Sequence, residues 1–145
     1  MTADDPPRTQ GEPPPAVLRR SDVTVRERGN GIRTWPLLTP GLGATSILTG
    51  ITELDTGAAV PLHWHNCVES VIVLSGAAIA FIDGVDHVLD PGDSTFIPAG
   101  TPHCFRNPSA AGALRIFWTY TSIDATRTLA ETGITRRIDE ELGLR

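Results

Sequence analysis

At 145 residues the chain is long enough for one domain with a real core and too short for two independent ones. A net charge of −5 argues against sequence-independent binding to nucleic acid, which depends on basic residues meeting phosphates. No run of about 18 apolar residues can span a bilayer and the N-terminus lacks an apolar signal-peptide core, so a cytoplasmic protein without a membrane partner is expected.

Residues 1–20 read as a Pro-rich flexible tail. The first fifteen hold five prolines, three acids and almost no large apolar side chains, too little to offset ordering entropy. An extended piece at 23–26 leads through the turn cluster Gly29-Asn30-Gly31 to an edge strand over 32–38, where Pro36 is best tolerated. The barrel proper begins near Ala44, with a strand to Leu54 in which Gly50 suggests a bulge. Further short strands are predicted at 68–74, 77–82, 85–89, 94–97, 103–106 and 114–121, separated by turns; Asp83-Gly84 is a two-residue hairpin signal of the primed type. The barrel is thus placed at 21–123. Residues 124–145 are expected as a helical or irregular segment packed on it, with a short helix from Asp124 through Glu131 and a helical turn over 137–142.

Two spaced motifs carry the chemistry. The first places Gly57, His63, His65, Glu69 and Gly76 at intervals of five, one, three and six intervening residues. The second places Gly92, Pro98, Gly100, His103 and Asn107 at intervals of five, one, two and three. On a strand His63 and His65 project the same way, roughly 7 Å apart, and two imidazoles can converge on one ion. Glu69 would lie about 13 Å further along a straight strand, so the chain must turn near Asn66 to bring it back. His103 must arrive from a neighbouring strand, after the turn-rich stretch Pro98-Ala99-Gly100-Thr101-Pro102.

All ten specified positions agree with the paired motifs of the cupin family, which the chain therefore resembles, and the fifteen-residue spacer equals that of compact microbial cupins. The resemblance implies an all-β jelly-roll barrel closed round a cavity. It also implies one divalent transition metal per chain, held by His63, His65, Glu69 and His103. Three nitrogens and one oxygen suit Zn, Fe, Mn, Co or Ni, with zinc the first expectation.

As a Lewis acid the metal would promote enolisation, aldol-type cyclisation or dehydration of a hydrophobic substrate. A weaker resemblance, to the small actinobacterial cupins that act as polyketide cyclases of the resistomycin type, points the same way. An iron- and dioxygen-dependent dioxygenase and a non-enzymatic ligand-binding cupin are the alternatives. Candidate catalytic groups are Glu69, which can move a proton if loosely held, Tyr120 as a proton donor to an enolate, and His87 if it faces inward. Packing is the ordinary fate of a tyrosine or a solitary histidine. Phe105, Phe81, Ile79, Leu114, Ile116, Trp118 and Tyr120 can supply an apolar lining suited to an aromatic ligand. Arg115 and Arg106 are candidates for an anionic group, with a solvated rim as their default. Cys67 and Cys104 are expected as reduced, packed thiols. Asn107 should tie a turn. A homodimer formed at barrel edges, through the N-terminal strand that carries Trp35, is expected.

Overall fold

Alternation of buried and half-buried residues along Leu114–Tyr120 sets which side of this protein is inside. In the computed structural model, which describes residues 7–144, Leu114, Ile116, Trp118 and Tyr120 all face inward. The strands in chain order are β1 (Arg26–Gly29), β2 (Ile32–Pro36), β3 (Leu48–Leu54), β4 (His63–His65), β5 (Glu69–Ser75) and β6 (Ala78–Ile82), followed by β7 (Val85–Leu89), β8 (Ser94–Ile97), β9 (His103–Arg106), β10 (Leu114–Tyr120), β11 (Thr126–Leu129) and β12 (Thr135–Arg137). One four-residue helix, α1 (Ile138–Glu141), comes last. Two antiparallel six-stranded sheets result, in the orders β1-β2-β3-β10-β5-β8 and β12-β11-β4-β9-β6-β7. They face each other as an all-β jelly roll whose inner side chains form one core.

Turn chemistry explains the hairpins. Asp83 and Gly84 both take positive φ, 49° and 85°, and join β6 to β7, as a primed turn requires. Asn30 and Gly31 do the same between β1 and β2, at 54° and 77°.

Gly50 is not a bulge. It lies in an unbroken ladder opposite Trp118 and Pro36, and a Cβ there would stand 2.2 Å from Cζ2 of the Trp118 indole. Glycine is present because the indole lies flat on the backbone at that point. The Trp118 Nε1–H donates to Thr52 Oγ1 at 2.9 Å, and Thr52 shares a 2.9 Å hydrogen bond with Thr34, so three buried polar groups satisfy one another.

Other expectations are corrected by pairing. β2 lies between β1 and β3, so the strand carrying Trp35 is not an edge; Pro36 is tolerated because it closes the strand. Residues 124–131 do not form a helix. Their core is β11, which adds to β4, and with β12 it extends the second sheet well beyond residue 123. The turn of helix expected over 137–142 is present as α1. Residues 7–19 carry no strand or helix and are exposed; the first six residues of the expected tail lie outside the described residues. Among the described residues no helix is long and apolar enough to cross a membrane.

Replacing Gly50 with alanine should destabilise the fold by about 1–3 kcal/mol through overpacking against Trp118. Urea unfolding followed by circular dichroism measures this, and an unchanged midpoint would contradict the close approach.

Candidate metal centre

The pleat of β4 puts His63 and His65 on the inner face, with Trp64 between them pointing away. β9 pairs with β4 so that His103 stands directly opposite His63. The three rings form a cluster with centroids 4.8, 4.4 and 5.1 Å apart, and one nitrogen of each lies within 4.8 Å of the others. After the turn at Asn66 the chain crosses to the facing sheet, where Glu69 opens β5 and reaches back across the interior. Asn66 anchors that crossing: its side-chain amide donates to the Asp124 carbonyl at 3.2 Å, and its oxygen accepts from the Thr126 N–H at 2.8 Å.

Each imidazole is held in one tautomer by the backbone. His63 Nδ1 donates to the Pro61 carbonyl at 2.6 Å, His65 Nδ1 to Thr126 at 2.9 Å and His103 Nδ1 to Thr101 at 2.8 Å. A carbonyl can only accept, so in the neutral ring the proton sits on Nδ1 and the Nε2 lone pair faces the interior. His103 Nε2 lies 3.0 Å from Glu69 Oε1, and His65 Nε2 lies 3.7 Å from Glu69 Oε2 with no hydrogen-bond partner. Nitrogen lone pairs and a carboxylate brought together in a dry interior call for a shared proton or a cation. The three imidazole nitrogens could hold a divalent transition ion; Glu69 stands beside two of them but outside that group.

Electrostatics point the same way. Burial drives the His63 pKa far below its ordinary value, and the nearby Arg127 guanidinium and neighbouring rings add to the effect. Burial also lowers His65 to about 4, with Glu69 opposing and Arg127 assisting. For Glu69 burial works against ionisation, but the close approach of His103, His65 and Tyr120 outweighs it, and its pKa falls. The Tyr120 phenol is pushed up, first by burial and then by the Glu69 carboxylate. It therefore stays protonated and serves as a donor. Tyr120 pairs with Glu69 across β10 and β5, and its ring lies 4.7 Å from that of His65.

Other expected residues lie elsewhere. His87 has inward parity opposite Ala80, but β7 is the outermost strand of its sheet and the side chain is exposed, three strands from β4; it does not join the cluster. Ile79 and Phe81 take the outer face of β6, leaving the small Ala78 and Ala80 inside, with Ala80 opposite Phe105. Arg106 forms a paired contact with the exposed Asp86. Arg115 lies over the Trp35 ring on the outer face. Asn107 donates to the carbonyls of Leu54 and Gly112 and accepts from the Ser109 N–H, tying the turn as expected. Both cysteines are free and half-buried.

Arg127 was not foreseen. It stands directly opposite His65 on β11, inside the barrel, and only a correct strand reading of Thr126-Arg127-Thr128 would have shown that parity.

The chain belongs to the cupin family. Residues 50–120 match the cupin domain. Protein SchB of Streptomyces halstedii is 36% identical over 94 residues, 63% of this chain and 67% of that protein. Quercetin 2,3-dioxygenase of Bacillus subtilis (strain 168) is 44% identical over 54 residues, 37% of this chain and 16% of the enzyme. Among solved structures, the polyketide cyclase RemF from Streptomyces resistomycificus superposes with a TM-score of 0.68 at 21% identity, covering 85% of this chain and 84% of that one.

In protein stripped of metal by a chelator, depressed histidine pKa values make acid destabilising. Between 6.5 and about 4 the unfolded chain carries a proton on residue 65 that the folded chain refuses, so stability falls as pH falls through that window. The expected slope is about 1.4 kcal/mol per pH unit from His65 alone, and steeper with His63. Thermal melts at stepped pH read it out; a Tm that is flat across the window would contradict the burial of neutral imidazoles.

Proposed function

We propose that this cupin is a metal-dependent enzyme acting on a hydrophobic, oxygenated small molecule of aromatic or polyketide type, by enolisation followed by aldol-type cyclisation or dehydration. The observation that carries the reading is the convergence of three backbone-oriented imidazoles with a buried carboxylate and a protonated phenol. The likeness of fold to the polyketide cyclase RemF supports it. One divalent transition metal, zinc by preference, would be held by His63, His65 and His103 with Glu69 as fourth ligand. When bound it supplies positive charge against a developing enolate.

The chain's own groups do the rest. Glu69, with one oxygen near His103 and the other nearer His65, would take a proton from a carbon next to a carbonyl when it is only loosely held by the ion. Tyr120 keeps its proton and donates a hydrogen bond to an oxygen that gains charge. Val60, Val71, Phe105, Ile116 and Trp118 line the same cavity and exclude water. His87 has no part in this proposal.

The second reading is an iron- and oxygen-dependent dioxygenase, favoured by the similarity to quercetin 2,3-dioxygenase. Zinc-loaded protein should speed exchange of the acidic C–H of benzoylacetone into heavy water without consuming oxygen, as read by NMR and an oxygen electrode. Glu69→Gln should slow that exchange about 100-fold or more. Oxygen uptake by iron-loaded protein, with no exchange by the zinc form, would overturn the first reading in favour of the second.

We also infer a homodimer formed through the outer face of the first sheet. Trp35, Ile51, Phe117 and Ile72 form one row in register across β2, β3, β10 and β5, and Phe96 beside it on β8 is 72% exposed. Sedimentation should give a dimer that Ile72→Glu or Phe96→Glu weakens at least tenfold; a monomeric wild type would remove the inference.

A further inference from the structure

Two guanidinium groups reach the interior from different strands. Arg127 on β11 stands opposite His65, its side chain only 9% exposed and its Nε buried without a hydrogen-bond partner. Arg28 on β1 lines the same cavity. Both face one carboxylate, Glu141 of α1, at 2.6 Å from Arg127 Nη1 and 3.9 Å from Arg28 Nη2. Tyr120 lines the same cavity, paired with Glu69 across β10 and β5, so a line of neighbouring groups runs from the imidazoles to the C-terminal segment.

That segment closes the cavity. Ile138 and Leu142 line it, and its free volume is about 30 Å³, while Glu141 meets the two arginines from a neighbouring, more open cavity that Arg28 and Arg127 also line. Small-molecule pockets run to roughly 300 Å³ and more, so an aromatic substrate enters only if something moves. The segment at that end is α1, a single turn of helix held to the barrel by the buried Ile138 and Leu142 and by the Arg127–Glu141 contact rather than by its own length.

We propose that Arg127, with Arg28, is the binding pair for an ionised oxygen of the substrate, a carboxylate, phenolate or enolate, and that Glu141 occupies this pair in the resting state. The C-terminal segment is then both plug and internal stand-in for the anion. Charge supports the exchange. With Glu141 in place, two arginines face two carboxylates, Glu141 and Glu69, in a largely apolar interior. A divalent ion adds further positive charge, so the site favours an incoming anion over a neutral ligand. This inference rests on the proposed function for the metal and for the aromatic character of the ligand, but the arginine pair itself does not depend on either.

The test uses full-length zinc-loaded protein titrated calorimetrically with benzoate and with its neutral analogue benzamide. Glu141→Gln removes the competing charge and should bind benzoate about tenfold tighter, with benzamide unchanged; Arg127→Gln should lose about tenfold or more for benzoate alone. If Arg127→Gln does not fold, Glu141→Gln decides by itself. A purely structural Glu141–Arg127 pair predicts a lower Tm for Glu141→Gln with no gain in benzoate affinity, and that result, or benzamide changing in parallel with benzoate, would overturn the proposal. The titrations are repeated after chelation. A gain that persists places the carboxylate on the arginines; one that vanishes places it on the ion and overturns the proposal. Zinc content of the same samples reports separately on the metal reading, which can fail while the gain in Glu141→Gln survives.

Discussion

The commitment of three Nδ1 protons to backbone carbonyls is the constraint on which the interior depends. It turns three Nε2 atoms toward one another in a region nearly closed to water, with the Glu69 carboxylate 3.0 Å from His103 and 3.7 Å from His65. For His63 and His65 the neutral ring is preferred because burial penalises its charge, and neutral imidazole is the form that binds metals. Ring orientation is therefore set by the fold before any ligand arrives.

The two-sheet architecture makes this arrangement possible. β4 and β9 bring the histidines together on one sheet, while Glu69 and Tyr120 face them from adjacent strands of the other. Space for them comes from small residues. Ala78 and Ala80 lie where Ile79 and Phe81 would have filled the interior, and Gly50 lets the Trp118 indole rest on the β3 backbone rather than protrude into the cavity. Polar groups on the inner faces answer one another: Thr34 with Thr52 and Trp118, Glu69 with His103, Arg127 with Glu141. A polar interior of this kind is costly to bury and is retained where chemistry uses it.

Local signals made much of this legible. The grouping of His63, His65 and His103 was implied by the resemblance of the two spaced motifs to cupins, and the turns were read from Asp83-Gly84 and Asn30-Gly31, whose positive φ values need those residue types. What stayed hidden depends on non-local pairing. Alternation along β6 shows that Ile79 and Phe81 share a face, but only pairing with β9 decides that it is the outer one. His87 has inward parity, yet its strand lies at the sheet edge beyond the enclosed space. Arg127 was concealed for a similar reason. Asp124 has the chemistry of a helix N-cap, and Thr126-Arg127-Thr128-Leu129 is too short to declare a strand until β4 offers it a partner.

Residues 63, 65, 69 and 103 are proposed to share one divalent cation. X-ray absorption at the zinc K-edge on protein loaded with one equivalent tests it most directly. The account predicts a first shell of three imidazole nitrogens and carboxylate oxygen, with the outer-ring scattering of bound imidazole lost in part in His103→Ala. A purely oxygen shell without imidazole scattering, unchanged by that substitution, would contradict it.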